Sequence, residues 1–488
     1  NTYLGHASGY SGTGGSNNVF VGVEAGRNTT SGENIAIGYQ AALANTSGAD
    51  IIAIGENAYD NADAESNNIA IGKDAIGGSV NGGEYNVAIG NLSLDALTSG
   101  DGNVAVGYNA GTAVTTSTGN TVVGYQAGAA ITTGIRNVAV GYDAGKTQAT
   151  TNGNTSVGYE ALKVGTAGET TAIGAFALTA NTTGTHNVAV GINALLSNDD
   201  GNQNTSVGTH SLKQNTSGSL NIALGYGALE ENTSGLRNIG IGPNAYDSSD
   251  TENDNMGIGY NALHTNTAGG TFNVAVGNYS LDALTSGDNN TAVGYNSGTS
   301  LTTGNRNIAI GMDSGPTVTE GDNNILIGYK SGDSGAPGGA VTTGDNQLCL
   351  GNEHIANAHV QVDWTVASDK RDKTDVSSID IGLNFINKLE PVTYYWDKRS
   401  KYNDSNPTGE HKEDKLDIGF LAQDVEVLEN EYGYKIEDKT NLTTHLSEDG
   451  EQYGIQYSKF VPILVKAVQE LSAQVTTLKD EINNLKGG

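Results

Sequence analysis

Cysteine, proline, positive charge and long apolar runs are all scarce in this 488-residue chain. The single cysteine, Cys349, excludes an intrachain disulfide and leaves the redox compartment unread. Only 6 prolines accompany 69 glycines, which excludes collagen, a fold that needs proline and a strict three-residue period. No apolar run approaches the ~20 residues of a membrane span, so membrane insertion is not expected, and no signal-peptide pattern is visible. Lys and Arg total 24 against 54 Asp and Glu, and residues 1–351 hold 9 against 29. Both ends of the chain therefore repel nucleic acid, whose phosphates need clustered cations. The length is too great for one ordinary globular core. Asn1 falls in mid-pattern with no Met before it, so an upstream region is expected.

What is present is a repeat. A box of the type Asn-Val-Ala-Val-Gly recurs 21 times between Gly5 and Gly351, with its glycines about 17 residues apart; the last step, Gly328 to Gly351, is 23, stretched by the insert around 335–339. Asn91 to Gly111 is echoed by Asn278 to Gly298, 187 residues downstream. In Asn137-Val138-Ala139-Val140-Gly141 the two valines share one strand face and Ala139 takes the other. Glycine then permits a corner. A second short strand is expected at segments such as 142–145, and a polar turn such as Asn215-Thr216-Ser217-Gly218 closes the coil. Two short strands in 17 residues make one turn of a solenoid. Asn opens 18 of the 21 boxes, Ile51, Thr170 and Gln347 being the exceptions. Stacked coils bring these amides into a hydrogen-bonded ladder. Tyr108, Tyr125, Tyr142 and Tyr159 follow four successive boxes and are expected to form a second, structural ladder.

The box resembles the Asn-Ser-Val-Ala-Ile-Gly repeat in the heads of trimeric bacterial adhesins, which form a left-handed parallel β-roll. That resemblance implies a mostly β fold: a trimeric β-solenoid shaft over residues 1–351. Residues 352–367 alternate polar and apolar like one last connecting strand or linker. His354 and His359, five apart, cannot share a strand face, so no metal site and no cofactor are expected.

After Gly351 glycine thins out and Lys, Glu and aromatics rise. Ser368-Asp369-Lys370-Arg371-Asp372-Lys373 resembles the signature of the phage intramolecular chaperones, the endosialidase-type chaperone and auto-protease family. Ile379 to Asp397 is similar to its helix, turn and aromatic strand. Asp417 to Val425 matches its Gly-Phe-x-Ala-Gln block, and Tyr457 to Leu471 its closing helix. The resemblance implies a small α+β domain over 368–488 that self-cleaves once through a Ser-Lys dyad. Ser368 is then the nucleophile and Lys373 the general base, and the scissile bond adjoins Ser368, between the flanking residues Ala367 and Asp369. A serine hydroxyl needs a base, and a lysine becomes one when burial or a neighbouring cation lowers its pKa; Lys370 and Arg371 are candidate neighbours. Asp372 stands where the family has an apolar residue, and an acid there opposes deprotonation of the lysine.

The final helix is legible from spacing alone. Val461, Val468, Val475 and Ile482 alternate with Leu464, Leu471, Leu478 and Leu485 in steps of 3 and 4, a coiled coil over 458–486. β-Branched residues at a with Leu at d favour two strands, whereas the resemblance implies a homotrimer, which is the expectation adopted. Together these features describe a virion tail fibre or tailspike for host attachment, assembled in the host cytoplasm and extracellular afterwards. Its expected partners are two further copies, a cell-surface receptor (a glycan or outer-surface protein) and an upstream virion attachment region. A polysaccharide-depolymerising tailspike would need paired carboxylates in a groove. A cellular trimeric adhesin would end in a membrane anchor.

Overall fold

Every Asn-x-x-x-Gly box forms one three-residue strand, as at Val104–Val106, Val138–Val140 and Thr205–Val207. In this computed structural model residues 1–487 are described, apart from 266–268, 337, 356, 362–363 and 403–405. Pro337 of the expected insert, and Ala356, Val362 and Asp363 of the expected connecting stretch, thus lie outside the described residues. Two compact units are present, Asn1–Arg306 and Asn307–Gly488. The first is a stack of solenoid coils whose strands pair in parallel and in register, Val104 with Thr121 and Val138 with Thr155. The second opens with three more coils, where Ile308 pairs with Ile325 and Ile325 with Leu348. It continues into the carboxy-terminal module.

Ala139 is fully buried while Val138 and Val140 are half-buried on the outer face, as the alternation requires. The box glycine has two reasons to be glycine. Gly141 sits at φ +140, a region that side chains rarely adopt. A Cβ there would also collide with the carbonyl of Gly158 in the next coil.

Among the described residues the second strand expected in each coil is absent. Segments such as 142–145 are turns, because two of their residues are left-handed: Asp143 at φ 52 and Gly145 at φ 57, Gln126 at φ 54 and Gly128 at φ 57. Two such residues so close together cannot lie in a strand. The second of these positions is swapped for bulk along the stack. Where it is Gly128, Ile131 fills the interior, and a Cβ on the glycine would lie 2.8 Å from the Ile131 Cδ1 atom. Where it is Leu195 or Leu212, the residue three further on is Asn198 or Asn215. In each of these coils one of the pair is an aliphatic side chain that fills the interior, as close packing demands.

The asparagine ladder is present. Asn120 Oδ1 accepts the Asn137 N–H at 2.9 Å, Asn137 Oδ1 accepts that of Asn154 at 3.0 Å, and the Asn120 amide donates to the Gly134 carbonyl at 3.0 Å. Ile51 and Thr170 still donate their N–H to Asn34 and Asn154 but offer no amide oxygen onward, so the ladder breaks there. The turn asparagines form a second buried ladder that the sequence analysis missed: Asn198 donates to Asn181 at 2.7 Å, and Asn215 to Asn198 at 2.7 Å. The tyrosine row is stacked, with ring centroids 5.5, 5.0 and 5.2 Å apart from Tyr108 through Tyr159. Tyr59 and Tyr246 extend the long echo. Each is fully buried, and each hydroxyl accepts from an asparagine, Asn68 at 3.0 Å and Asn255 at 2.7 Å.

The described residues of 352–367 contain no strand, and Val360, Trp364 and Val366 are exposed. An alternating pattern becomes a strand only where a neighbour accepts its hydrogen bonds, and none of the described residues pairs with it as a strand.

Asn120→Ala removes the acceptor for the Asn137 N–H and the donor to Gly134 inside a buried ladder. A loss of about 2–4 kcal/mol is expected from two orphaned groups, read as a lowered urea midpoint. Tyr125→Ala, on the exposed row, should cost about 1 kcal/mol. Equal midpoints for the two variants would remove the ladder from its central place.

Candidate functional site

The module's fold begins with a turn. Asp369, in extended conformation, caps a three-residue helical turn at Lys370–Asp372 and accepts the Arg371 N–H at 2.9 Å. Lys373 leaves that turn with its N–H on the Lys370 carbonyl at 3.3 Å, which folds its side chain back over the start of the turn. The Lys373 Nζ lies 2.6 Å from the Ser368 Oγ and 3.5 Å from the Ser368 carbonyl oxygen. Ser368 and Lys373, the expected nucleophile and base, are therefore in hydrogen-bond contact, the arrangement that proton transfer from a serine requires.

Arg371, a candidate cationic neighbour of that lysine, is itself paired with an acid. Its guanidinium forks onto Asp369, with Nη2 to Oδ2 at 2.6 Å and Nε to Oδ1 at 3.1 Å. The Arg371 side chain, and next its backbone N–H, hold the Asp369 carboxyl below the usual carboxylate range. Ser368, Asp369, Arg371 and Lys373 are all exposed, and so is Ala367. Within one chain the lysine thus has neither burial nor a free guanidinium beside it.

The rest of the module is a small α+β layer. Helix α1 (Leu383–Ile386) leads into the strand Val392–Tyr395, which pairs antiparallel with Leu416–Gly419. Helix α2 (Ala422–Glu431) follows, then the hairpin Thr444–Leu446 with Tyr453–Ile455, and helix α3 (Phe460–Lys486) closes the chain. A short helical turn at Tyr457–Lys459 precedes α3, so the regular helix starts two residues later than expected. Ile381, Phe385, Val425, Leu428, Phe460 and Ile463 form the core. Gly419 is fixed by the Tyr457 hydroxyl, which occupies the place of a Cβ and accepts the Phe420 N–H at 3.2 Å. Glu470 of α3 caps α1, accepting the Leu383 N–H at 2.8 Å. Asp380 accepts from the Tyr434 hydroxyl, which with burial pushes that phenol up to about 12.

Glu429 is a functional carboxylate of another kind, and spacing did not reveal it. It is fully buried and accepts from the Thr443 N–H at 2.6 Å, the Thr443 hydroxyl at 2.7 Å and the Thr444 hydroxyl at 2.6 Å. It ties α2 to the hairpin.

Helix α3 is two-faced. Phe460, Ile463 and Ala467 face the core. Val461, Leu464, Val468, Leu471, Val475, Leu478, Ile482 and Leu485 lie on the open side, between 41% and 84% exposed. The heptad seam is therefore intact and uncovered within a single chain. Among the described residues no helix is long and apolar enough to cross a membrane, and no group of three or more His, Cys, Asp or Glu residues is placed to hold a metal ion.

Compared with known proteins, residues 368–434 match the model of a family described as chaperone of endosialidase. No curated protein and no solved structure matches the chain. The matched segment starts at Ser368 and runs through α2, ending before α3. An endosialidase-chaperone segment after a long β-solenoid of about 17-residue coils is consistent with a tail fibre or tailspike.

Glu429→Ala strands three donors in a buried pocket and should lower the module's stability by about 3–5 kcal/mol. Glu429→Gln, which keeps an acceptor oxygen, should lose less. The check is the urea midpoint of the full chain followed by Trp364 and Trp396 fluorescence. A Glu429→Ala midpoint at the parent value would show that the threonines find other partners.

Proposed function

We propose that this chain is the shaft and assembly module of a phage tail fibre or tailspike, a homotrimer used for host attachment, in which residues 368–488 trimerise residues 1–351 and are then released by one self-cleavage beside Ser368. The observation that carries the reading is the 2.6 Å contact of Lys373 Nζ with Ser368 Oγ, at the first residue of the segment that matches the chaperone family. The open seam of α3 supports the trimer, because eight aliphatic residues on one helix face are not left to water without a partner. The strand faces agree with it. Outer positions such as Val138, Val140, Ile222 and Val188 make a row of aliphatic side chains, half-buried at most, which fits coverage by two further copies.

In this reading Lys373 takes the Ser368 proton, the Ser368 oxygen attacks the carbonyl of the scissile bond on its Ala367 or its Asp369 side to form an ester, Lys373 returns the proton to the departing amine, and water hydrolyses the ester and frees the serine hydroxyl. The dyad works once per chain and needs no cofactor. Exposure of Lys373 in a single chain is meaningful here. Its deprotonation is favoured by burial, and partner chains supply that burial, so cleavage waits for assembly. The product is extracellular on the virion, bound upstream to an attachment region and downstream to a surface glycan or protein of the host.

Two sets of variants test this. Ser368→Ala should abolish cleavage and leave a 50.1 kDa chain by intact mass. Lys373→Ala should slow cleavage by a factor on the order of 10² to 10⁴, as loss of a general base does. Asp372→Leu should speed it. Cleavage of Ser368→Ala at the same bond would misassign the nucleophile.

The seam is tested separately. Leu471→Glu with Leu478→Glu places unpaired charges in a buried seam, at a cost of several kcal/mol. That variant should give aggregated or out-of-register shafts by sedimentation, with the dyad intact. Assembly equal to the parent would leave trimerisation to the globular part of 368–460.

A further inference from the structure

The last coil of the stack ends in hydrogen-bond donors that a further coil would ordinarily satisfy. In an inner coil, the turn residues Thr133 and Gly134 donate their N–H groups to the Ala149 carbonyl of the next coil, at 3.3 and 3.4 Å. Thr343 and Gly344 hold the same places in the last coil, within the motif Thr-Thr-Gly that both coils share. No coil follows them. Their N–H groups donate instead to the carboxylate of Glu448, Thr343 at 3.3 Å to one oxygen and Gly344 at 2.8 Å to the other.

The substitution is close in detail. The Thr343 hydroxyl adds a bond to Glu448 at 2.6 Å and the Thr342 hydroxyl another at 3.3 Å. A Cβ on Gly134 would strike the carbonyl of Thr151 in the next coil, and a Cβ on Gly344 would lie 2.5 Å from the Glu448 Oε2. A carboxylate oxygen therefore stands where a carbonyl oxygen stands elsewhere. Beside it the Ala340 N–H donates to Asp449 at 3.3 Å, and Gly339, at φ +78, leaves room for Ser447. These acceptors come from one tight turn between the hairpin strands Thr444–Leu446 and Tyr453–Ile455. Gly450 donates to the Ser447 carbonyl at 2.9 Å, and Glu451 donates to Asp449 at 3.0 Å. Arg399 holds the Glu451 carbonyl, and Lys398 holds the carbonyl of Glu353 just after the last coil.

We propose that the turn at 447–452 is an end cap for the solenoid: Glu448 occupies the place of a further coil's carbonyl and fixes the last coil's edge for as long as the module is attached. The end of a stack leaves amide donors without a following coil, and this turn satisfies those of Ala340, Thr343 and Gly344 with anionic acceptors, which bind amide donors more tightly than neutral carbonyls. The cap requires no self-cleavage, so it stands or falls apart from the proposed dyad.

The test is amide exchange read by mass spectrometry on the full chain carrying Ser368→Ala, with the intact mass of 50.1 kDa showing that the module is attached. Glu448→Ala should speed exchange in peptides spanning 340–347 by roughly 10- to 100-fold, the loss of charge-assisted bonds. Peptides spanning 121–141 serve as the internal standard and should not change. Glu448→Gln, retaining one acceptor oxygen, should fall between. Thr343→Val removes the 2.6 Å hydroxyl bond without touching the module, and should raise exchange in the same peptides by a few fold. It keeps the test open should Glu448→Ala misfold. Unchanged exchange over 340–347 in both Thr343→Val and a folded Glu448→Ala would overturn the cap.

Discussion

Each coil is completed by the next. An asparagine amide oxygen accepts the N–H of the following asparagine, its amide nitrogen reaches the following turn, and strand pairs with strand in parallel. Nothing in a coil of this size closes on itself. Three-residue strands have no stability alone, and the interior is one or two side chains wide, Ala139 and Ala144 in one coil, Ala172 and Leu178 in another. Stability is thus a property of stacking, shared among neighbours as in other solenoids. The box glycine belongs to the same constraint, since any side chain there would push two coils apart.

That constraint explains what sequence could and could not disclose. Residues that must repeat because coils touch are legible by their period: the box asparagine, the box glycine and the row from Tyr108 to Tyr159. Residues whose role is set by conformation are not. Gln126, Asp143 and Glu160 adopt left-handed backbone with no glycine or turn motif to announce it, so their segment reads as a second strand. The exchange of Gly128 with Ile131 for Leu212 with Asn215 is a matter of volume across a turn, and only packing reveals it. Asn215 reads as a turn former because Asn-Thr-Ser-Gly is a turn signal, yet its side chain is buried and bonds to that of Asn198, which in turn bonds to Asn181.

In the module the balance differs. Ser368 and Lys373 were identified by resemblance, and their contact follows from a local turn of six residues that the signature itself encodes. The pairing of Arg371 with Asp369 instead of with the lysine's surroundings is a two-residue contact that spacing permits but does not select. The bonds of Glu448 to Thr343 and Gly344 join residues about a hundred positions apart, and those of Glu429 to Thr443 and Thr444 cross from helix to hairpin. No periodicity records such pairs. The alternation of 352–367 misled for the opposite reason: a strand pattern is present without a partner strand to use it.

A stack of near-identical coils also has a problem that no coil can solve. In the proposed trimer, shifting one chain against another by a single repeat would bury nearly the same surface, so the repeats would specify register only weakly. Deviations must supply it. The 18-residue step between Gly72 and Gly90, its echo between Gly259 and Gly277, the ladder breaks at Ile51 and Thr170, and the 23-residue last step are such marks. They fall at fixed places and cannot be matched by a slipped neighbour. The last of these marks is the proposed cap, where Thr343 and Gly344 of the last coil meet the Glu448 carboxylate of the hairpin turn. A coil held there has one register only. Under the proposed cap, each preceding coil stacks on an edge already fixed.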